Sequence, residues 1–356
     1  MRVALRGVVA TVALVTAGAA VGGPSPVDRQ ALDAHALRVM QTHDIAGMAI
    51  AILADGKRHY FNYGVASRAE TRMVDSDTLF EIGSLSKIFA ATLAAYAQAQ
   101  GKLSLSDHPG KHLSWLNDAP SNQATLLHLA THSAGGLPLQ LPDDVDTPSQ
   151  LERYFQHWRP DYAPGTARTY SNPGIGLLGS AAASSLGMDY RAALQTVLLP
   201  KLGLENTYVE VPARELPRYA QGYSKAGVPI RLDPGPMADQ AYGLKSTSAD
   251  LLRLLAIQLG VTPVEPELAE ALAVTRSGRF QLGPMSQALV WERYAYPVDS
   301  EQLVAGNSAE MAFGTHPVVA LESPDTAEQV WINKTGSTNG FGAYIAMVPA
   351  RRSGVV

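Results

Sequence analysis

A chain of 356 residues, 46 % hydrophobic and 17 % charged, is globular rather than disordered, and long enough for one large domain or two packed lobes. A net charge of −4 with no basic block argues against nucleic acid as a partner. There is no cysteine, so stability cannot rest on disulfides.

The first residues read as an export leader. Arg2 and Arg6 supply a positive start, Val8 to Val15 a short apolar run, and Ala17-Gly18-Ala19 a small-x-small cleavage site. The run is too short to span a bilayer and no other stretch qualifies. The expectation is a leader over 1–19 and an exported, soluble protein without a membrane anchor. After the Pro/Gly stretch Gly22 to Pro26, residues 27–41 predict a helix with Leu32, Ala36, Val39 and Met40 on its apolar face. Two strands follow, 47–54 and 57–65, joined by an Asp55-Gly56 turn.

Next comes Phe80-Glu81-Ile82-Gly83-Ser84-Leu85-Ser86-Lys87, and then a run from Ile88 to Ala99 that is apolar almost all round and closed by Gly101. Leu85, Phe89, Leu93 and Tyr96 recur at helical spacing, so the run predicts a buried helix. Ser84 and Lys87, three apart, then share one face of its first turn. A serine hydroxyl needs a neighbouring base to act as a nucleophile. A lysine at a helix N-terminus, out of water, is pushed towards its neutral form. Ser-x-x-Lys is short enough to arise by chance. Taken alone, Ser84 also reads as a helix cap and Lys87 as a solvated lysine.

Leu126 to Thr131 continues helical and stops at Ala134-Gly135-Gly136, and Pro138, Pro142, Pro148, Pro160 and Pro164 then mark a loop-rich region. Residues 174–186 predict a helix of small residues, and 200–245 are again broken by Pro and Gly. Thr247 to Asp250 resembles a capping box ahead of a helix over 251–259. Residues 300–328 show no periodicity. Strands over 329–337 and 341–348 flank the turn Thr338-Asn339-Gly340. Strands at both ends with helices between predict an α+β fold: one antiparallel sheet built from both termini, flanked by helices, with an inserted, mostly helical lobe. A single catalytic domain would cover 27–356, its sheet lobe drawn from 27–80 and 300–356 with parts of 190–300, its helical lobe from 84–190.

Several weaker patterns have bland readings. Gly174-x-Gly176-x-x-Gly179 matches a dinucleotide fingerprint, but no strand precedes it, which leaves close helix packing. His128 and His132 have the i, i+4 spacing of zinc ligands without an acidic partner, and read as surface or core histidines. Tyr60-Phe61-Asn62 falls inside a predicted strand and reads as sheet. Lys334, alone, reads equally as an edge-strand charge against aggregation.

Tyr170-Ser171-Asn172 lies just before the helix at 174, and Lys334-Thr335-Gly336 in the penultimate strand. With Ser84-x-x-Lys87 they make the three-motif set of the penicillin-recognising serine enzymes. The chain resembles class C β-lactamases from about residue 30 to its last residue. His132 to Gln140, Ala241 to Ser246 and Asn339 to Gly342 match in the same order. Class A is a poorer match: its members carry Ser-Asp-Asn where this chain has Tyr170-Ser171-Asn172, and no Glu-x-x-Leu-Asn stretch is present.

The resemblance implies that Ser84 attacks a β-lactam carbonyl, with Lys87 and Tyr170 taking its proton and Tyr170 later activating water. It implies an oxyanion hole from the backbone N–H groups of Ser84 and Ser337. Lys334 and Thr335 would hold the drug's carboxylate, and Gly336 would let substrate lie along the strand edge. Gln140 and Asn172 would bond the acyl-amide side chain. Glu292 would support the lysine network, and Tyr242 would form a pocket wall. No cofactor or metal is implied. The expected partner is a small β-lactam, with cephalosporins favoured, and the expected state a periplasmic monomer conferring resistance. A D-Ala-D-Ala carboxypeptidase or an esterase shares the motifs. A β-lactam-binding protein that is acylated without turnover is a third reading, but the sequence offers no tether or signalling segment for it.

Two departures from the family stand out. Val290 occupies a position where glycine is usual. Class C enzymes also continue beyond Arg351-Arg352-Ser353-Gly354-Val355-Val356 with a further strand and a long helix. The resemblance implies that Gly354-Val355-Val356 opens that strand. Its loss would leave unpaired groups on a sheet edge, a bare apolar face, and a less stable and inactive chain.

Overall fold

A computed structural model describes residues 27–356. The leader reading for 1–19 lies outside them. The fold is organised by a ten-stranded antiparallel sheet. In spatial order its strands are Val319–Asp325, Gly278–Leu282, Met285–Gln287, Glu292–Ala295, Val330–Ser337, Gly342–Val348, Ser353–Val355, Gly47–Ala54, Lys57–Ser67 and Arg72–Met73. The first and last strands of the described residues meet near the centre of the sheet, where Ile52 faces Val355 and Leu53 faces Gly354. The sheet edges are Val319–Asp325 and Arg72–Met73. The short strand Ser353–Val355 pairs on both sides, with Ala346, Met347 and Val348 of one neighbour and Ile52 and Leu53 of the other.

The central strands are apolar on both faces because both faces are covered. Ile50, Ile52 and Ala54 point, with Trp331, Ala346 and Val348, into a cluster under the helix Arg29–His43, which contributes Leu32 and Ala36. The alternate residues Ala51, Leu53, Ile332, Ile345 and Met347 point into a larger core shared with the other helices. This explains why 47–54 reads as a continuous apolar run. Asp55 and Gly56 both adopt positive φ, the backbone a two-residue hairpin turn demands.

Helices fill the second face, and they extend past the expected limit at 190. Ser86–Ala99 packs against Asn172–Ser185 and Pro266–Arg276, and Ser248–Gln258 lies against the central strands. Ser86–Ala99 is buried along its length from Ser86 to Ala97, as an all-round apolar run requires. Gly176 and Gly179 are packing glycines: a Cβ there would meet Met237 and Gln240. The helix expected over 251–259 begins at Ser248 instead. Thr247 caps it by accepting the Asp250 N–H, while the Asp250 carboxylate accepts from Asn206 and Thr207 rather than closing the box. Val290 sits at φ 59, a left-handed conformation that accounts for glycine being usual there.

Candidate active site

Three segments remote in sequence converge where the buried helix starts. Ser84 lies in a single tight turn, Gly83–Leu85, that feeds directly into Ser86–Ala99. The turn is pressed against the end of strand Val330–Ser337. A Cβ on Gly336 would stand 2.2 Å from the Ile82 carbonyl, and one on Gly83 would stand 2.4 Å from the Ser337 nitrogen. Gly83 also has φ 51. Gly336 therefore makes room for the Ser84 turn. Lys334 is no edge charge, because its strand lies inside the sheet. Thr338 donates its N–H to Phe341 across the hairpin at 3.0 Å, so ladder alternation turns the Ser337 N–H the other way, towards the Ser84 turn.

Lys87 is fully buried, so it is not the solvated lysine of the bland reading. Its ammonium donates to Ser84 Oγ at 2.9 Å, Asn172 Oδ1 at 2.6 Å and the Ala241 carbonyl at 2.8 Å. All three acceptors are neutral. Burial pushes its pKa down; Tyr170 opposes that and Lys334 adds to it, leaving about 8. Asn172 thus spends its carbonyl oxygen on Lys87 rather than keeping it for a substrate. Ser171 caps the helix Asn172–Ser185 by accepting the Gly174 N–H at 3.0 Å, which fixes the Tyr170-Ser171-Asn172 triplet at the helix mouth.

The Tyr170 ring lies between the two lysines, with Lys87 Nζ 4.9 Å and Lys334 Nζ 5.0 Å from its centroid. Burial alone would push the phenol up. Lys334 and Lys87, helped by the Ser84 hydroxyl, outweigh it and bring the phenol to about 7. Ser84 and Tyr170 are only half-buried, so this side of the cluster is open to a ligand. Lys334 Nζ donates to the Thr335 carbonyl at 3.0 Å. Gln140 is exposed on the rim, next to Leu139, whose carbonyl accepts the Asn172 N–H at 3.1 Å. Tyr242 follows Ala241 and is half-buried, its hydroxyl turned to Gly235.

Glu292 is placed differently from expectation. Its carboxylate accepts from Arg168 and Asn333, each at 3.3 Å, and among the described residues it bonds neither lysine. Arg168 and His132 both pack on Tyr170, and sequence reasoning missed both as site residues. Arg168 precedes Tyr170 by two on one extended segment, a same-face spacing that would have flagged it. Glu81 was also missed. It accepts hydrogen bonds from the Tyr219 hydroxyl at 2.6 Å, the Leu232 N–H at 2.8 Å and the Thr338 hydroxyl at 2.6 Å. It thereby ties the Ser84 segment to the hairpin beyond Ser337.

A hydroxyl held by a buried amine, beside an acidified phenol, is the equipment of a serine acyl-transfer enzyme. The comparisons agree. The family profile described as Beta-lactamase matches residues 32–356. A β-lactamase of Lysobacter lactamgenus is 48% identical over 93% of this chain and 87% of its own. The solved β-lactamase/D-alanine carboxypeptidase of Pseudomonas syringae is 45% identical with a TM-score of 0.90, covering 92% of each chain. A class C β-lactamase of Rhodobacter sphaeroides, also 45% identical and covering 92% of each, has a TM-score of 0.88. The chain belongs to the β-lactamase family, and it is a serine β-lactamase of class C type.

Proposed function

We propose that the chain hydrolyses β-lactams, cephalosporins foremost, through an ester on Ser84. The observation that carries this reading is the single contact network joining Ser84 Oγ, Lys87 Nζ and the phenol of Tyr170. Ser84 Oγ attacks the lactam carbonyl while Tyr170, as phenolate, takes its proton. The carbonyl oxygen gathers charge against the N–H groups of Ser84 and Ser337. The C–N bond then breaks, and the proton passes from Tyr170 to the departing nitrogen. A water next gives a proton to Tyr170 and attacks the ester, and Ser84 leaves with that proton. Lys334 and Thr335 hold the substrate carboxylate. Gln140 and the amide nitrogen of Asn172 take the acyl-amide side chain, and Tyr242 walls the pocket. Export to the periplasm by the leader, a monomeric state and a role in resistance belong to the same reading.

A chromogenic cephalosporin assay on wild type, Ser84→Ala and Tyr170→Phe tests it. Ser84→Ala should lose on the order of 10³-fold or more in kcat. Tyr170→Phe should slow release of the acyl group more than its formation. Full turnover in Ser84→Ala would end the proposal. The Pseudomonas syringae relative bears both activity names, so D-alanyl-D-alanine peptides should be assayed alongside. Faster peptide cleavage than cephalosporin hydrolysis would favour the carboxypeptidase reading.

A further inference from the structure

The mechanism above gives no role to His132, a buried titratable group against Tyr170. His132 touches the segment around Tyr170 in three ways. Its carbonyl accepts the Thr169 N–H at 2.8 Å. Its Nδ1 accepts the Ser171 N–H at 3.2 Å. Its ring packs on the Tyr170 ring with centroids 4.4 Å apart and planes tilted by 41°. The Arg168–Thr169 and Tyr170–Ser171 peptides and the Tyr170 ring thus rest on one residue. His132 is itself anchored by its N–H to the Leu129 carbonyl at 3.3 Å, at the end of the helix Leu126–Ala130. It holds φ 59, a conformation that histidine and asparagine tolerate better than most residues.

We propose that His132 is a positioning residue that clamps Tyr170 between the two lysines, acting as a neutral acceptor at Nδ1. The inference rests on the reading of Tyr170 as the proton acceptor.

The tautomer follows from the donor. A backbone N–H can only donate, so Nδ1 carries no hydrogen and the neutral ring carries it on Nε2. Among the described residues Nε2 has no hydrogen-bond partner. A protonated ring would lose its acceptor and release the Ser171 N–H. It would also add a cation to a place that already has three: Lys87, Lys334 and Arg168 lie 4.9, 5.0 and 5.6 Å from the Tyr170 ring centroid. Burial first, then Arg168, Lys87 and Lys334, hold the imidazole well below the usual histidine range. Glu292 faces Arg168 at 3.3 Å, but no carboxylate among the described residues bonds the imidazole itself. The clamp therefore stays intact across the pH range in which Tyr170 changes charge.

The test compares His132→Asn, whose side-chain oxygen stands near the Nδ1 position and which tolerates the left-handed backbone, with His132→Phe, which keeps a ring but has no acceptor. Two readouts are taken. One is kcat against pH with a cephalosporin. The other is the midpoint of Tyr170 phenolate formation, read by ultraviolet difference absorbance against Tyr170→Phe, which needs no turnover. His132→Phe should raise the midpoint above about 7. It should also lower kcat roughly tenfold or more, the scale of an impaired general base, with little change in KM. His132→Asn should return both towards wild type. If His132→Phe does not fold, His132→Gln replaces it: its oxygen reaches the Nε2 position, so it should fail where Asn succeeds. An unmoved midpoint and kcat in the acceptor-less variant would overturn the clamp. Equal losses in Asn and in Phe or Gln, accompanied only by a lower Tm, would do the same. Should Tyr170→Phe retain full turnover, the base assignment falls, while the midpoint comparison still decides whether His132 positions the phenol.

Discussion

Two clusters of buried charge flank Tyr170, and they are balanced in opposite ways. On one side Arg168 meets Glu292 at 3.3 Å, with its other nitrogens on Gln287 at 2.7 Å and the Met311 carbonyl at 3.1 Å. Glu292 takes a further bond from Asn333. Cation and anion cancel, and each makes further hydrogen bonds to neutral partners. On the other side Lys87 and Lys334 bond only hydroxyl and carbonyl oxygens. Their missing counter-charge is the phenolate. A compensated pair braces the site, while an uncompensated pair shifts the acidity of whatever faces it.

The contrast predicts where damage shows. Removing a lysine should appear in rate: Lys87→Met should cost roughly 10²–10⁴-fold in kcat/KM at neutral pH, the range of a lost general base. Lys334→Met should cost less at high pH than at pH 7. Without that cation the phenol titrates higher, and the phenolate is recovered only as pH rises. A loss independent of pH would mean that Lys334 serves substrate binding alone. Removing Arg168 should appear in stability, because it strands the buried Glu292 carboxylate. Arg168→Met should lose about 3–5 kcal/mol in urea unfolding. A variant as stable as wild type would show that water or another cation reaches Glu292.

Both clusters hang on the strand Val330–Ser337, and Gly336 sets how closely the Ser84 turn approaches it. Gly336→Ala should displace that turn, since the Ile82 carbonyl stands 2.2 Å from the added carbon. A displacement of that kind costs on the order of 10²-fold in turnover, and Tm should fall with it. Retained kcat would mean that the turn moves without disturbing Ser84.

What the sequence made legible was local. The helix after Ser84, the Asp55-Gly56 hairpin and the three short motifs each declare themselves within a few residues, and so does the apolar character of strand 47–54. The bracing pair does not. Glu292 and Asn333 become neighbours only through the cross-strand register of two strands far apart in sequence, and no local pattern encodes register. Arg168 and His132 meet Tyr170 through tertiary packing for the same reason. The helix Pro148–His157 is hidden for a different reason: among other prolines Pro148 reads as a breaker, yet it opens the helix, and Thr147 with Gln150 forms a full capping box. In 300–328 the short helices Ser300–Gly306 and Ala309–Phe313 and an exposed edge strand leave no periodic apolar stripe to read.

The finest test changes the balance of the braced pair without opening it. Glu292→Gln keeps the shape and an oxygen for Arg168 or Asn333, but removes the negative charge. Arg168, its carbon 5.6 Å from the Tyr170 ring centroid, then acts on the phenol uncompensated. An additional cation favours the phenolate, so the acidity of Tyr170 should increase. On the proposed mechanism activity needs the phenolate and should be lost as pH falls through about 7 in the wild type. In the variant that acid limb of kcat/KM should move to lower pH, by up to about one unit for a screened charge at this distance. The direction is the discriminating part. A limb displaced upward would mean that the amide has loosened Arg168 and Tyr170 together, and that Glu292 positions the phenol more than it screens it.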